Sequence, residues 1–398
     1  MKGKDIIMFG LQPWDIPIGS NFKNMALEIA KNNRVLYVNR PLDRASLYRN
    51  KNNSQIQSRI KSLKTGEGLF ENPVPNLTTF NPRVVLESIN WLPDNFIYDY
   101  FNRKNGKRLA GEINRAAGKL GFKNYWLLID NDFFNGQYLS EYLQPAKFVH
   151  YIRDFLLSQH YFQKHGPKAE TSIMKKADGV AANSLYLANY ASQFNQVVAD
   201  IGQGCDVEDF MHVTSQQPLD VINIPKPRIG YCGSITSTRL DIRLLEFIAS
   251  QRPEWQIVLV GPEDEKFRES GLHKMKNVHF TGGKNPEELP AYVHSFDVCI
   301  NPQVLNQMTI GNYPRKVDEY LAAGKPVVAT RTEAMEAFDP ECILCSTDSE
   351  YLAGIERALA EQHDQNKIFK RKELASSHTW EASVNKLYQL CKKIEDGK

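Results

Sequence analysis

Short apolar runs alternate along this chain with stretches in which apolar residues return every three or four positions. DIIMFG reads as a strand. After the loop LQPWDIPIGSN, Phe22, Met25, Ala26 and Ile29 fall at i, i+3, i+4 and i+7, one face of a helix with Ser20 at its N-cap, and RVLYVN resumes as strand. The same plan returns at RIGYCG, where SITSTR leads to a helix with Leu244, Leu245 and Ile248 inward and then to the strand WQIVLVG. Each stretch is a β-α-β unit that opens its own domain. The second continues with the strands NVHFTG, DVCINP and VVAT, and with a helix start at Asn285, Pro286 and Glu288, an N-cap, a first-turn proline and a capping-box acid. Strands and helices in this alternation imply an α/β protein with parallel sheets and ligands at the carboxyl ends of the strands.

One segment gathers the chemistry. In NYPRKVDEYLAAGKPVVAT, Asn312 to Thr330, Pro314 fits the first turn of a helix and Gly324 the left-handed residue that ends it. Val317, Tyr320 and Leu321 face a core, so Lys316 and Glu319 share another face. Free N–H groups and the positive end of the helix dipole suit a diphosphate, and a carboxylate inside the helix suits ribose hydroxyls. The segment reads as a place to hold a sugar nucleotide, against the plainer reading of a surface helix with an ordinary charged pair. Phosphate and ribose should collect where GSITSTR, GPEDEK, TGGKNP and GNYPRK come together.

At 398 residues the chain exceeds what one core supports, so two domains of roughly 150 to 200 residues are expected. The polar, proline-marked stretch 213–227 reads as the linker, dividing domain 1–212, to which a terminal helix 380–398 is added, from domain 228–379. The six cysteines are scattered in apolar runs, as buried thiols of a reducing compartment would be; Cys342 and Cys345 form a CxxC in a strand, without a second pair or a neighbouring His. MKGKDIIMFG runs straight into the fold with no signal-peptide core, and no apolar run approaches about 18 residues. The expectation is a cytoplasmic protein with no membrane span.

The net charge of +3 hides an uneven distribution: residues 31–123 hold 17 Lys/Arg against 7 Asp/Glu. Within that region, residues 91–108 mix Trp91, Leu92, Phe96, Ile97, Tyr98, Tyr100 and Phe101 with Arg103, Lys104, Lys107 and Arg108. Aromatics beside a basic cluster suit peripheral contact with an anionic membrane surface, and equally a core helix followed by a solvated basic turn. No nucleic-acid-binding motif accompanies the charge, so a nucleic-acid partner is not expected.

Taken in order, GYCGSITSTR, VLVGP, HFTGG, DVCINP and EYLAAGKPVVAT, from Arg228 to about Ala360, resemble the retaining glycosyltransferases of family 4. The first half is looser: GLQPWDIPIGS, RVLYVNRP, FVHYIRDF and MKKADGVAANS look like the acceptor domain of the bacterial subgroup that builds exopolysaccharide and teichuronic-type chains. The resemblance implies the GT-B architecture, two Rossmann-like β/α/β domains facing a central cleft, with the last helix crossing back to the first. It also implies transfer of a sugar, with retention and without metal, from a nucleotide-sugar donor, UDP- or GDP-linked, to a lipid-linked or polysaccharide acceptor. No further cofactor is expected.

Roles transfer position by position. Arg239 stands where the family has a Lys, whereas Ser234 replaces its Arg; Glu319 matches the second of two spaced acids, and the first falls on Gly311. Lys316, where an apolar residue is usual, is a candidate replacement for the lost positive charge. The expected donor site comprises Gly19, Gly233, Ser234, Gly261, Gly283, Lys284, Asn312, Tyr313, Pro314, Arg315 and Glu319, with Arg239, Lys316, Arg153 and Asp154 as candidate catalytic residues. Ser234 and Gly311 also admit a non-catalytic nucleotide-sugar-binding partner in a glycan assembly complex, and a third reading is a GT-B nucleotide-sugar epimerase. The rival for the diphosphate is Asp130-Asn131-Asp132 at the end of YWLLI, an Asp-x-Asp that could hold a divalent cation.

Overall fold

The alternation of strand and helix folds into two parallel sheets. The structure, a computed structural model, describes residues 1–15, 20–49, 53–212 and 217–397. It divides into two units, Met1–Gly202 with Ser383–Lys398, and Gln203–Ala382.

In the first unit the strands are β1 (Asp5–Gly10), β2 (Arg34–Val38), β3 (Leu42–Asp43), β4 (Phe70–Val74), β5 (Leu77–Phe80), β6 (Val85–Leu86), β7 (Trp126–Asp130), β8 (Lys147–Ile152), β9 (Gly179–Ala182) and β10 (Val198–Asp200). Eight form one sheet in the order β10-β9-β8-β7-β1-β2-β5-β4, and β3 pairs with β6 in a small separate sheet. Only β4, an edge strand, runs antiparallel to its neighbour. Central strands buried on both faces need apolar residues at nearly every position. β1 and β7 supply them: Ile7, Phe9, Leu127 and Ile129 pack with Leu109, Ile113 and Ala116 of helix Phe96–Lys119. From Ser383 onward the terminal helix Trp380–Glu395 belongs to this unit. It is fastened there by the Asn33 side-chain amide, which donates to the Tyr388 hydroxyl at 2.9 Å, and by Lys4 and Glu395 at 3.0 Å.

The second unit contains β11 (Arg228–Cys232), β12 (Gln256–Val260), β13 (Val278–Gly282), β14 (Val298–Asn301), β15 (Val327–Thr330) and β16 (Cys342–Cys345), in the order β13-β12-β11-β14-β15-β16. All pairs are parallel. Leu244, Leu245 and Ile248 of helix Ile242–Gln251 cover one face, and Val317, Tyr320 and Leu321 of helix Arg315–Ala322 the other. Gly324 closes the latter helix at φ +75°. Pro314 lies one position outside the first turn, at the N-cap. Cys342 and Cys345 are buried free thiols on β16.

The expected linker is not a free tether where it is described. Val221 and Ile224 are buried in the same cluster as Val317 and Leu321, together with Cys205, Val207 and Phe210. Buried Arg228 binds the segment from beneath, its guanidinium donating to the Ile224 carbonyl at 2.6 and 2.8 Å and to Ile222 at 3.2 Å. The polar composition concealed two apolar anchors three residues apart. Residues 213–216 lie outside the described residues. Among the described residues no helix is long and apolar enough to cross a membrane.

Glu170, on helix Gly166–Lys176, is 1% exposed and accepts a 2.7 Å hydrogen bond from the Tyr190 hydroxyl. Burial pushes its carboxyl up to about 7, with Tyr190 opposing the rise. The folded state therefore holds a proton that the unfolded chain has released, and stability falls as pH rises from the ordinary carboxylate range through about 7. Urea unfolding at pH 5 and pH 8 should show a loss on the order of 3 kcal/mol that is absent in Glu170→Gln. Equal pH slopes for the two proteins would remove Glu170 as the cause.

Candidate functional site

Two glycines bring the strand ends of the second unit together. Gly233 follows β11 at φ +137° and Gly261 follows β12 at φ +150°. A Cβ on Gly261 would lie 1.8 Å from the Gly233 carbonyl oxygen, so a side chain there is excluded. The turns are also stitched in register, the Gly233 N–H donating to the Val260 carbonyl at 2.9 Å and the Gly261 N–H to the Gly282 carbonyl at 3.0 Å. Lys316 reaches over this junction: its Nζ would stand 3.0 Å from a Cβ on Gly233. That ammonium donates to the hydroxyl of Tyr231 and lies 4.2 Å from the centre of its ring.

The loop after β11 is held by the loop after β12. The Asp264 carboxylate accepts from the Ser237 N–H at 2.7 Å and the Ser237 hydroxyl at 2.8 Å, while the Ile235 N–H donates to the Pro262 carbonyl at 2.9 Å. The backbone of Arg239 is fixed from both sides, its N–H on the Thr236 carbonyl and its carbonyl accepting from Val304, each at 2.9 Å. Its side chain is exposed and forms no ion pair among the described residues. Ser234 is exposed, and its carbonyl accepts the Tyr231 hydroxyl at 3.2 Å.

Helix Arg315–Ala322 starts beside this junction. Its first N–H groups are partly spent, Arg315 on the Tyr313 carbonyl at 3.1 Å and Val317 on the Pro314 carbonyl at 2.8 Å. Asn312 is half-buried, with its N–H on the Thr309 carbonyl at 3.2 Å. Glu319, with 16% of its side chain exposed, lies 3.5 Å from Arg315. Burial raises its carboxyl above the usual range, and Arg315 and Lys316 pull it back. On the inward face the Tyr320 hydroxyl accepts from the Cys232 N–H at 2.7 Å and donates to the Cys232 carbonyl at 3.2 Å, locking the helix to the last residue of β11.

Next to Glu319, Asp318 is wholly buried. It accepts from the Tyr313 hydroxyl at 2.9 Å and pairs with Nδ1 of His378 at 2.7 Å. Burial raises the Asp318 carboxyl, while His378 and Tyr313 oppose the rise. Tyr313, expected at the donor site, is buried with its hydroxyl turned to Asp318; its partnership with Asp318 and His378 and the roles of Tyr231, Tyr320 and Asp264 were not expected. A signal existed for Asp318, which neighbours Val317 on a helix whose inward face is apolar; its partner 60 residues away had none.

The expected residues are not all gathered at one place. Gly233, Gly261 and Lys316 meet, and Arg315 and Glu319 share a helix. Gly283 is exposed, and a Cβ placed on it would lie 3.8 Å from Pro262. Lys284 is spent on Asp220 at 2.8 Å and sits 5.3 Å from the Tyr292 ring centre; Asp220 raises its ammonium to about 12. Gly19 lies outside the described residues. In the first unit Arg153 pairs with Asp130 at 2.8 Å and with Asp154 at 3.0 Å. Asp154 caps no helix; its carbonyl accepts from the Asn131 amide at 2.8 Å. Asp132 caps helix Phe133–Gly136, accepting from the Asn135 N–H at 3.0 Å. Both acids of the Asp-x-Asp are thus engaged by the protein, and among the described residues no group of three His, Cys, Asp or Glu is arranged around a cation position. His150 is fully buried in the sheet, where burial lowers its imidazole to about 3.

Residues 226–361, which carry the strand-end turns of the second unit, match the family described as glycosyl transferases group 1. The putative teichuronic acid biosynthesis glycosyltransferase TuaH of Bacillus subtilis is 28% identical over 242 residues, 57% of this chain and 60% of that protein. The fold is similar over nearly the whole chain to that of a sucrose-phosphate synthase from Thermosynechococcus elongatus, with TM-score 0.66, 17% identity and 99% of this chain and 100% of that one covered. HepE of Anabaena, solved with UDP, aligns at TM-score 0.65 and 16% identity over 100% of both chains. At these identities the likeness is one of fold: GT-B-like, an α/β protein with parallel sheets in two domains.

The trio behind helix Arg315–Ala322, in which Asp318 and Tyr313 are buried and His378 is half-buried, makes its own prediction. Removing one partner of a buried pair typically costs about 3 kcal/mol or more. Asp318→Ala should lower stability by about 3 kcal/mol in urea unfolding and Asp318→Asn by less, since the amide still accepts one bond. An unchanged midpoint in Asp318→Ala would show that the trio does not fasten the helix.

Proposed function

We propose that this protein transfers a sugar from a nucleotide-sugar donor to a lipid-linked or polysaccharide acceptor in cell-surface glycan synthesis, with retention and without a metal. The observation that carries the reading is the group 1 match on residues 226–361, with Lys316 seated on the glycine junction of the first two strand ends. The relative named for teichuronic acid biosynthesis supports the glycan class, and the solved HepE complexes with UDP support UDP as the nucleotide. The chain spans 60% of the length of that curated relative.

As the bond from the sugar to the diphosphate lengthens, negative charge gathers on the leaving oxygen and positive charge on the ring. Arg239, whose side chain is uncommitted, and Lys316 neutralise the diphosphate, the contribution a metal makes elsewhere. Glu319 accepts the ribose hydroxyls, with Arg315 and Lys316 opposing the rise that burial gives its carboxyl. The leaving phosphate takes the acceptor proton on the same face, so no protein nucleophile is needed. A second reading, a non-catalytic nucleotide-sugar-binding partner, is favoured by Ser234, which leaves one customary cation missing from the loop.

Thermal unfolding against UDP, GDP, ADP, TDP and CMP, with and without Mg²⁺, tests the donor site. At a hundredfold excess over Kd a ligand bound only by the folded state adds about 2.7 kcal/mol. UDP should stabilise without metal, and Arg239→Ala and Glu319→Ala should abolish the shift. No shift with any nucleotide would sink the donor reading, and a shift only with Mg²⁺ would sink its metal-free form. A shift without any glycosyl transfer to acceptor preparations would leave the non-catalytic reading.

Residues 91–108 add a membrane proposal. Trp91, Phe96 and Tyr100 are 76, 77 and 62% exposed, and Lys104 and Lys107 are exposed beside them. We assign this face to peripheral contact with an anionic bilayer. Co-sedimentation with phosphatidylglycerol vesicles should fall at least severalfold in Trp91→Ala/Phe96→Ala and in high salt; binding equal to that of neutral vesicles would overturn the assignment.

A further inference from the structure

Tyr231 is wholly buried on β11, the strand between β12 and β14, and its hydroxyl is engaged on both sides. It donates to the Ser234 carbonyl at 3.2 Å and accepts from the Lys316 ammonium. With its one hydrogen committed to Ser234, the oxygen has only lone pairs to offer Lys316. The phenol is therefore an oriented acceptor, and its ring centre, 4.2 Å from the ammonium, adds a cation–π contact.

Lys316 has to cross the sheet end to reach that acceptor. Its helix, Arg315–Ala322, packs Val317, Tyr320 and Leu321 into one hydrophobic cluster, whereas Tyr231 packs with Ile235, Leu240 and Leu244 in the other. The lysine stem passes where Gly233 has no side chain: a Cβ there would lie 3.0 Å from Nζ, 3.2 Å from Cε and 3.2 Å from the Tyr231 hydroxyl. An alternative partner stands on the lysine's own helix. Glu319 follows at the i, i+3 spacing at which Lys and Glu pair, and Lys316 is close enough to pull its carboxyl down. Among the described residues no ion pair joins the two; Glu319 faces Arg315 at 3.5 Å instead.

We infer that Tyr231 is the positioning residue for Lys316, holding its ammonium over Gly233 and off Glu319. Resting on the proposed donor site, this keeps the cation for the diphosphate and the carboxylate for the ribose; without the hydroxyl the two side chains would satisfy one another. Tyr231 itself touches no substrate.

Calorimetric titration of the full chain with UDP tests this in a double-mutant cycle. Tyr231→Phe, which keeps the ring and removes the hydroxyl, should weaken UDP about fivefold, the cost of ordering one lysine side chain on binding. In a Lys316→Ala background the same substitution should change affinity by less than about twofold. An equal factor in both backgrounds would mean that the hydroxyl shapes the site without acting through Lys316, and overturns the inference; so does wild-type affinity in Tyr231→Phe when Lys316→Ala has lost it. Lysine ¹³Cε NMR reads the tether with no ligand present. The two Hε protons of Lys316 should be inequivalent in the wild type and merge in Tyr231→Phe, and a pair unchanged by the substitution overturns the inference whatever UDP does. A tether seen by NMR in a chain that does not bind UDP would sink the donor reading and leave the positioning role standing.

Discussion

The second unit depends on one close approach, that of Gly261 to the carbonyl of Gly233. With only about 1.8 Å left for a Cβ, the two turns must run backbone against backbone. That contact sets where everything else at this end of the sheet goes. It lets Asp264 of one loop capture Ser237 of the other, which fixes the backbone that presents Arg239. It also leaves over Gly233 a shallow place into which the Lys316 ammonium fits, drawn from a helix whose own position is set by Tyr320 gripping both backbone groups of Cys232. Helix, loop and strand end are three consequences of one steric demand.

The first unit uses its charges differently. Asp130 is buried at the end of β7, where burial raises its carboxyl and the guanidinium of Arg153 pulls it down; Asp154 takes another arm of the same guanidinium. Asp132 is divided between a helix cap and Arg40. Arg153 holds Oδ1 of Asp130, while Oδ2 is buried with no hydrogen-bond partner among the described residues. The Asp-Asn-Asp run closes the strand-end turn that the left-handed Asn131, at φ +49°, bends back on itself.

Much of this was legible in the sequence because burial periodicity is local. Phe22, Met25, Ala26 and Ile29 had to share a helix face, and Gly324 had to take a conformation few other residues accept; both follow from spacing and residue type alone. The linker misled because its composition is polar, although Val221 and Ile224 supply two anchors that a core can use. The partners of charged residues were out of reach for another reason. Lys284 finds Asp220 and Asp318 finds His378 across 64 and 60 residues of chain, and nothing in a residue's type names a partner brought in by topology.

Lys316 stands apart from the other lysines and arginines of these sites in what it touches. Arg153 and Lys284 are bound to carboxylates, whereas Lys316 leans on a phenol hydroxyl and the face of its ring, both neutral. An ammonium has three donors and a phenol oxygen engages one of them. The charge is therefore parked rather than spent: an incoming anion would meet a cation already aimed and partly desolvated, with no ion pair to break on arrival. Such a rest position separates holding a charge in place from using it, and Tyr231 is the residue that keeps the two apart.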